Sequence, residues 1–188
     1  MRKDLGKQTI VAPLPVLIVA TYDENDTPNA MNVAWGGQCA SNCIAINLSP
    51  HKTTENIKIK QAFTVSFATK KLLAESDYFG IVSGSKENKI EKAGMHAVKS
   101  KHVDAPIIEE FPLTMECKVV SMRDELGETR VVGEIINATV DEAYIGADGK
   151  VDLGKMELLA FDSVASAYRI VGEQVGKAWN AGAGLANK

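Results

Sequence analysis

Cysteine, arginine and aromatic residues are all scarce in this sequence. Three of its 188 residues are cysteine, 6% are aromatic, and the 21 basic side chains are 17 lysines and only 4 arginines. Three cysteines are too few, and odd in number, for the disulfide framework of a small secreted protein. The net charge of −3 argues against a nucleic-acid-binding protein that relies on a broad positive surface. We therefore expect any anion site to use lysine side chains and backbone amides.

Long hydrophobic runs are also missing. The longest, Val11 to Ala20, is interrupted by Pro13 and Pro15 and is too short to span a bilayer. The segment Met1 to Gln8 is polar and lacks the apolar core of a secretory signal. These features lead us to expect a cytoplasmic protein with no membrane or nucleic-acid partner.

The overall composition is that of an ordinary globular domain. Hydrophobic residues make up 45% of the chain and charged residues 24%, and no repeat or flexible linker divides it. We predict a single domain over residues 1–188, with a loose C-terminal tail from about residue 180.

Familiar catalytic and metal-binding motifs are absent as well. No Gly-x-Gly-x-x-Gly opens a helix after a strand, so the Rossmann mode of dinucleotide binding is not supported. There is no nucleophile elbow and no His-Glu-x-x-His, and the three histidines lie far apart in the sequence. Cys39 and Cys43 have no further ligands at metal-binding spacing, so we interpret them as structural strand residues. The sequence predicts no catalytic residue and no metal site; a redox cofactor, which carries its own chemistry, would require neither.

The segments that are present form a succession of strand patterns with helices between them. β-branched and alternating segments predict strands, and amphipathic segments of longer period predict helices. The predicted strands are 15–22, 29–35, 43–48, 63–68, 113–122 and 130–140, and the predicted helices are 53–60, 71–81 and 86–92. The apolar segment 158–171 fits either type. This order predicts a mainly β fold, an antiparallel barrel with helical additions, rather than a βαβ fold.

The segment Ser49 to Asn56 is the first candidate binding site. Pro50 ends a strand, and Lys52, Thr53 and Thr54 stand at the start of a predicted helix. Free N–H groups at a helix N-terminus, with hydroxyl groups and a lysine nearby, suit a phosphate monoester. The alternative is that one threonine is only an N-cap and the lysine a solvated surface charge, which is the commoner case for such a segment alone.

Two glycine-containing segments are the other candidates. Asn32 to Gln38 contains Gly36-Gly37, where the missing side chains would let the backbone approach a flat ligand closely. Taken alone, it also fits a strand that ends in a Gly-Gly bulge, with Trp35 packed in the core. Ser83-Gly84-Ser85, followed by Lys89, could present amides and a positive charge to a phosphate. Its alternative is a helix C-cap followed by an exposed lysine.

These candidates belong to a longer series of motifs that covers nearly the whole chain. The series is Pro15-Val16, Thr21, Pro28 to Trp35, Leu48 to Ile57, Phe63 to Ser66, Asp77 to Gly80, Ser83-Gly84 with Lys89, Ala105-Pro106, Gly133 to Ile135, and Tyr168 with Gly172. In order and spacing it resembles the flavin reductase-like, FMN-binding split-barrel family, which includes flavoredoxin. Single motifs of the series are unspecific, whereas the ordered set is fairly specific.

The resemblance implies a fold, a cofactor and an assembly. The fold would be a split β-barrel, a six-stranded antiparallel Greek key, in a homodimer that binds FMN near the subunit interface. The residues implied to bind the cofactor are Asn32, Val33, Ala34 and Trp35 along the isoalloxazine, Ser49, His51, Lys52, Thr53 and Thr54 around the phosphate, and Ser83, Gly84 and Lys89, which close the site. Phe161 or Tyr168 is implied to approach the ring from the C-terminal region.

The implied function is oxidation–reduction. The resemblance implies an NAD(P)H-dependent flavin reductase-like oxidoreductase, with NAD(P)H as co-substrate and free flavin or a redox protein as electron partner. The alternative is a flavoredoxin-type electron carrier, which a partner protein reduces without NAD(P)H turnover; a binding protein with little turnover is a third reading. The sequence departs from the family at one place: members often carry a histidine five residues before the Gly-Glu pair, and that position is Glu128 here. The electron donor and acceptor are therefore left open.

Overall fold

The computed structural model describes residues 1–186 and is built around one long antiparallel sheet. Its strands are β1 (Leu14–Pro15), β2 (Leu17–Tyr22), β3 (Pro28–Val33), β4 (Gly36–Ala40), β5 (Cys43–Leu48), β6 (Ala62–Phe67), β7 (Ala97–Lys99), β8 (Pro106–Ile108), β9 (Leu113–Glu125), β10 (Glu128–Val140), β11 (Leu159–Asp162) and β12 (Ala167–Ile170). Its α-helices are α1 (Lys52–Lys60), α2 (Leu73–Ile81), α3 (Lys89–Lys92) and α4 (Ala183–Ala186). Within residues 1–186, no helix is long and apolar enough to cross a membrane.

Seven strands form the main sheet, in the order β3-β2-β6-β9-β10-β5-β4, and every neighbouring pair is antiparallel. The long β9–β10 hairpin closes tightly, because Glu125 pairs with Glu128 and the two residues between them, Leu126 and Gly127, have φ of 54° and 84°. Two successive positive φ angles are what a type I′ hairpin turn requires. The turn sets Glu128 at the start of β10, one residue before Thr129, which pairs with Leu48 at the end of β5.

Strand β2 is buried on both faces because a hydrophobic core lies on each side of it. Ile18 packs in one core together with Phe79 of α2. Leu17, on the opposite face, packs in the other core with Phe63 of β6. Helices α2 and α3 both contact the neighbouring strand β3. The end of α2 therefore lies beside β3, and the cleft described below forms at that junction.

The mainly β, antiparallel fold predicted from the sequence is confirmed, although the strands differ in number and extent. The main sheet has seven strands where the resemblance implied six, and one of them, β4, lies in the segment interpreted as a Gly-Gly bulge. Strands β7 and β8 are three residues each, too short to show a periodic pattern, and the sequence does not predict them. The ambiguous segment 158–171 contains the hairpin of β11 and β12, which pair with β1 in a separate sheet.

The described part of the C-terminal tail is exposed. Residues 171–186 are all exposed, and the only regular element among them is the single turn of α4. The predicted tail also includes residues 187 and 188, which lie outside the described residues. That the whole chain forms one domain stays a prediction.

Candidate functional site

A cleft of about 500 Å³ opens where β3, β5, the start of α1 and the end of α2 come together. The loop after α2 and Glu128 of β10 complete its walls. Cofactor and small-molecule sites in proteins usually have volumes of roughly 300–1,000 Å³. The cleft is therefore large enough for a ligand of cofactor size.

One wall of the cleft is formed by Asn29, Lys52, Thr53 and the backbone of Gly84, which we call the basic cluster because it carries the Lys52 charge. The Asn29 side-chain amide donates to Thr53 Oγ1 at 2.8 Å. Lys52 Nζ donates to the Gly84 carbonyl at 3.4 Å and forms an ion pair with Asp23 Oδ2 at 3.1 Å. A Cβ atom at Gly84 would lie 1.9 Å from Asn29 Oδ1. A side chain there would collide with Asn29, so the loop can approach β3 only with glycine at this position.

The N-terminus of α1 opens onto the basic cluster. The N-cap is His51, not Thr53 or Thr54 as one interpretation of the sequence held, and no side chain in the described part of the chain caps the helix. The two threonines lie in the first turn, where they are 2% and 1% exposed. The first N–H groups of a helix have no partner within it and carry partial positive charge. Together with Lys52, this uncapped terminus suits an anionic group such as a phosphate.

Lys89 is a buried cation at the edge of the cleft. The residue is 4% exposed, and its Nζ donates to the Phe79 carbonyl at 2.9 Å. Phe79 lies in the last turn of α2, where the helix carries partial negative charge. Burial lowers the pKa of Lys89 to about 8, so this lysine loses its charge just above neutral pH.

Asn32 is held in place by contacts behind the cleft. Its side-chain amide donates to the Ser76 carbonyl at 2.9 Å and to Tyr168 Oη at 3.4 Å. The Tyr168 hydroxyl in turn donates to Asp77 Oδ1 at 2.8 Å. Burial, and then this hydrogen bond, raises the pKa of Tyr168 to about 12. The tyrosine therefore stays protonated, and the network fixes the orientation of Asn32.

Ser49 and Glu128 meet across the cleft wall. Ser49 Oγ lies 3.0 and 2.9 Å from the two carboxylate oxygens of Glu128 and donates to that carboxylate. Glu128 is exposed and lines the cleft. The Ser49 hydroxyl, which the resemblance assigns to a phosphate, has a carboxylate as its partner instead.

Trp35 lies on the surface of the cleft rather than in the core. It is 60% exposed, which overturns the interpretation that a tryptophan at this position packs inside. The reason is that β3 ends at Val33, after which the chain turns away and the Trp35 carbonyl accepts from the Asn47 N–H at 2.8 Å. The Trp35 ring is left as an exposed, flat wall of the cleft.

Residues 11–154 match the flavin reductase like domain family. This chain is a member of that family.

Solved structures support the assignment over the full length of the flavin reductase-like domain. The chain is 37% identical to flavoredoxin of Desulfovibrio vulgaris (Miyazaki F), with a TM-score of 0.92 over 97% of this chain and 100% of that one. It is 27% identical to flavoredoxin from Methanosarcina acetivorans, with a TM-score of 0.88 over 98% and 99% of the two chains. A Shewanella frigidimarina protein with a split barrel domain, 20% identical, superposes with a TM-score of 0.79 over 88% and 85%. The last likeness shows the fold, which is a split barrel.

Most of the predicted cofactor residues of this flavin reductase-like domain are brought together by the fold. Those that line the cleft are Asn32, Val33, Trp35, Ser49, His51, Lys52, Thr53, Ser83, Gly84 and Lys89. They come from three separate parts of the sequence, so the tertiary structure joins them as the resemblance implied.

Three predicted residues do not line the cleft. Ala34 is 7% exposed and packs inward between two residues that do face the cleft. The Thr54 hydroxyl is buried and donates to the Ser49 carbonyl at 2.8 Å, which fixes the strand-to-helix turn. Phe161 stands one layer behind Trp35, with ring centres 6.4 Å apart, and Tyr168 follows at 6.1 Å from Phe161.

Sequence reasoning missed several residues of the cleft. The most important is Asn29, which is 5% exposed and joins Thr53 to the loop at Gly84. The others are Met31, Asn47, Leu48, Phe79, Gly80, Ile81, Val82 and Glu128, the last of which was noticed only as a departure from the family. A polar residue within a predicted strand, as Asn29 is within 29–35, is the one signal that could have pointed to the site.

Proposed function

We propose that this chain binds FMN without a covalent link in the cleft and acts as an electron carrier of flavoredoxin type. The observation that carries the proposal is the combination, in one cleft of about 500 Å³, of an uncapped helix N-terminus beside lysines with the exposed flat ring of Trp35. FMN has the same two parts, an anionic phosphate and a flat ring system. The high similarity to two flavoredoxins over nearly the whole chain supports the same role.

Different walls of the cleft would bind different parts of FMN. Lys52, Thr53 and the first amides of α1 would hold the phosphate, with Gly84 and Lys89 closing over it. Asn32, Val33 and Trp35 would bound the ring system. When bound, FMN supplies the reversible uptake and release of electrons, and the protein contributes binding, orientation and electrostatics.

The second candidate is an NAD(P)H-dependent flavin reductase, which the family itself favours. Both candidates need the same cleft, and they differ in the electron donor.

We also propose a homodimer, supported by the exposed tail, in which Val175 and Trp179 are 95% and 103% exposed. The cytoplasmic location stays a prediction.

One experiment tests the proposal and separates the two candidates. Purified protein is mixed with FMN and desalted, its visible spectrum is recorded, and NADH or NADPH is then added without oxygen. The carrier is expected to keep the flavin absorbance without rapid bleaching; immediate bleaching would identify the reductase, and loss of all flavin on desalting would contradict both. Light scattering of the same sample should give the mass of two chains, and the mass of one chain would contradict the homodimer.

The charge of Lys89 makes FMN affinity depend on pH. Below about pH 8 the side chain is protonated and attracts the phosphate, and above that pH it is neutral. Because bound phosphate would raise the pKa of Lys89, the dissociation constant for FMN is expected to increase from about pH 8 upward, by up to roughly tenfold per pH unit. Titration of protein into FMN, followed by flavin fluorescence between pH 6.5 and 9.5, measures this.

Two variants separate Lys89 from other causes of pH dependence. Lys89→Met should bind FMN weakly at every pH and lose the increase above pH 8. Lys86→Met removes an exposed lysine from the loop that precedes α3, and this variant should behave as the parent protein does. An unchanged pH profile in Lys89→Met would show that this lysine does not contact the phosphate.

A further inference from the structure

The charged groups around the cleft differ in how accessible they are. Lys52 is paired with Asp23, and its side chain is 25% exposed. Lys89 is 4% exposed and donates to the Phe79 carbonyl. Glu128, in contrast, is exposed at the start of β10. Of these three charged groups, Glu128 is therefore the most accessible to solvent.

Glu128 is also the one carboxylate among the described residues that line the cleft. The Ser49 Oγ lies 3.0 and 2.9 Å from its two oxygens, so the hydroxyl, with its single proton, donates to this carboxylate. The tight turn at Leu126-Gly127 and the pairing of Thr129 with Leu48 hold the backbone of Glu128 at this place. The carboxylate is thus positioned by the structure rather than free to swing away.

We infer that Glu128 makes the mouth of the cleft selective for cations. This inference rests on the proposed function, and it names the partner: an electron donor or acceptor that presents lysine or arginine side chains to the cleft. A nicotinamide dinucleotide is disfavoured at this mouth, since its pyrophosphate would approach a fixed negative charge. Glu128 is therefore a specificity residue, and it favours the electron-carrier role over the NAD(P)H-dependent one.

Quenching of Trp35 fluorescence measures this selectivity without any flavin. Trp35 lines the same cleft, and Trp179, the other tryptophan, is removed by Trp179→Phe, a change in the exposed tail. In this variant, quenching by iodide measures the access of an anion to Trp35, and quenching by caesium measures the access of a cation. Glu128→Gln is expected to raise the ratio of iodide to caesium quenching constants about threefold, the effect of one partly screened charge at close range.

Glu134→Gln is the matched control. Glu134 is an exposed glutamate on the same strand that accepts one side-chain hydrogen bond, from Asn42 at 3.0 Å. It lies six residues from Glu128, about 20 Å along an extended strand, and does not line the cleft. Its substitution should leave the quenching ratio unchanged. An equal ratio in the parent protein and Glu128→Gln would overturn the inference.

The FMN-loaded protein supplies a second readout. Reduced methyl viologen, a radical cation, gives one electron, so two of them with protons from water reduce one flavin and leave two viologen dications. Glu128→Gln should slow this bleaching about threefold and speed bleaching by dithionite, which donates as an anion. Equal rates in both variants would contradict the inference. If no protein retains FMN, the proposed function fails, whereas the quenching ratio still decides whether the mouth selects cations.

Discussion

Gly84→Ala is expected to weaken FMN binding about 30-fold, which corresponds to roughly 2 kcal/mol of binding free energy. The added methyl group would lie 1.9 Å from Asn29 Oδ1 and 2.8 Å from its Cγ. Asn29 is 5% exposed and has little room to move. Either the loop or the asparagine must shift, and in both cases the basic cluster loses its arrangement.

Gly84→Ala is expected to lose binding free energy because Asn29 is not a flexible surface side chain that could move aside. Its amide donates to Thr53 at the start of α1, and displacing it would leave a buried polar group without a partner. The same shift would move the Gly84 carbonyl away from Lys52. Thus a single methyl group disturbs Thr53 and Lys52, two of the residues that would hold the phosphate.

Gly37→Ala is the matched control for this prediction. A Cβ at Gly37, in β4, would meet no atom within 4 Å, so this variant should bind FMN as the parent protein does. Fluorescence titration with FMN measures both dissociation constants, and thermal unfolding without FMN shows whether either variant is destabilised. Equal affinities for the two alanine variants would show that the contact between Gly84 and Asn29 has no role in binding.

The parts of the fold that the sequence predicts best are those with a strong local signal. The β9–β10 hairpin was expected because two long β-branched segments flank a polar turn that contains Gly127. Strand β4 was not, because Gly36-Gly37 has no alternating side chains and its pairing with β5 is decided by the neighbouring strand. Local pattern thus predicts hairpins well and strands that depend on a partner poorly.

In the site, too, residues with a local sequence signal are predicted and residues that depend on distant contacts are not. Lys52, Thr53 and Gly84 were expected, since the helix start and the glycine loop are visible in the sequence and the resemblance joins them. Asn29 was missed because its role depends on a loop 55 residues further along the chain, at Gly84. For Trp35, residue type alone favours the core and only the resemblance assigns it to the cofactor; its exposure follows from where β3 ends.

Gly133 lies at a bulge of β10, in close contact with the core. A Cβ there would lie 2.4 Å from Cζ and 2.8 Å from Cε1 of Phe63, which is fully buried in the barrel core. Overpacking a rigid core costs about 3 kcal/mol in the free energy of unfolding. Gly133→Ala should therefore lower the midpoint of thermal unfolding by about 6–12 °C, measured at one fixed protein concentration because assembly shifts this midpoint.

A double variant tests whether Phe63 is the cause. Phe63→Leu removes the two ring atoms that would collide with the added methyl group, and alone it should destabilise the protein because it opens a cavity. In the double variant, the methyl group of Gly133→Ala occupies part of that cavity. The double variant should therefore lose less free energy of unfolding than the two single variants lose together. If the changes in unfolding free energy of the two single variants simply add in the double variant, the contact with Phe63 is not what destabilises Gly133→Ala. Gly37→Ala, which adds the same methyl group in open space, should leave the midpoint within about 2 °C of the parent value.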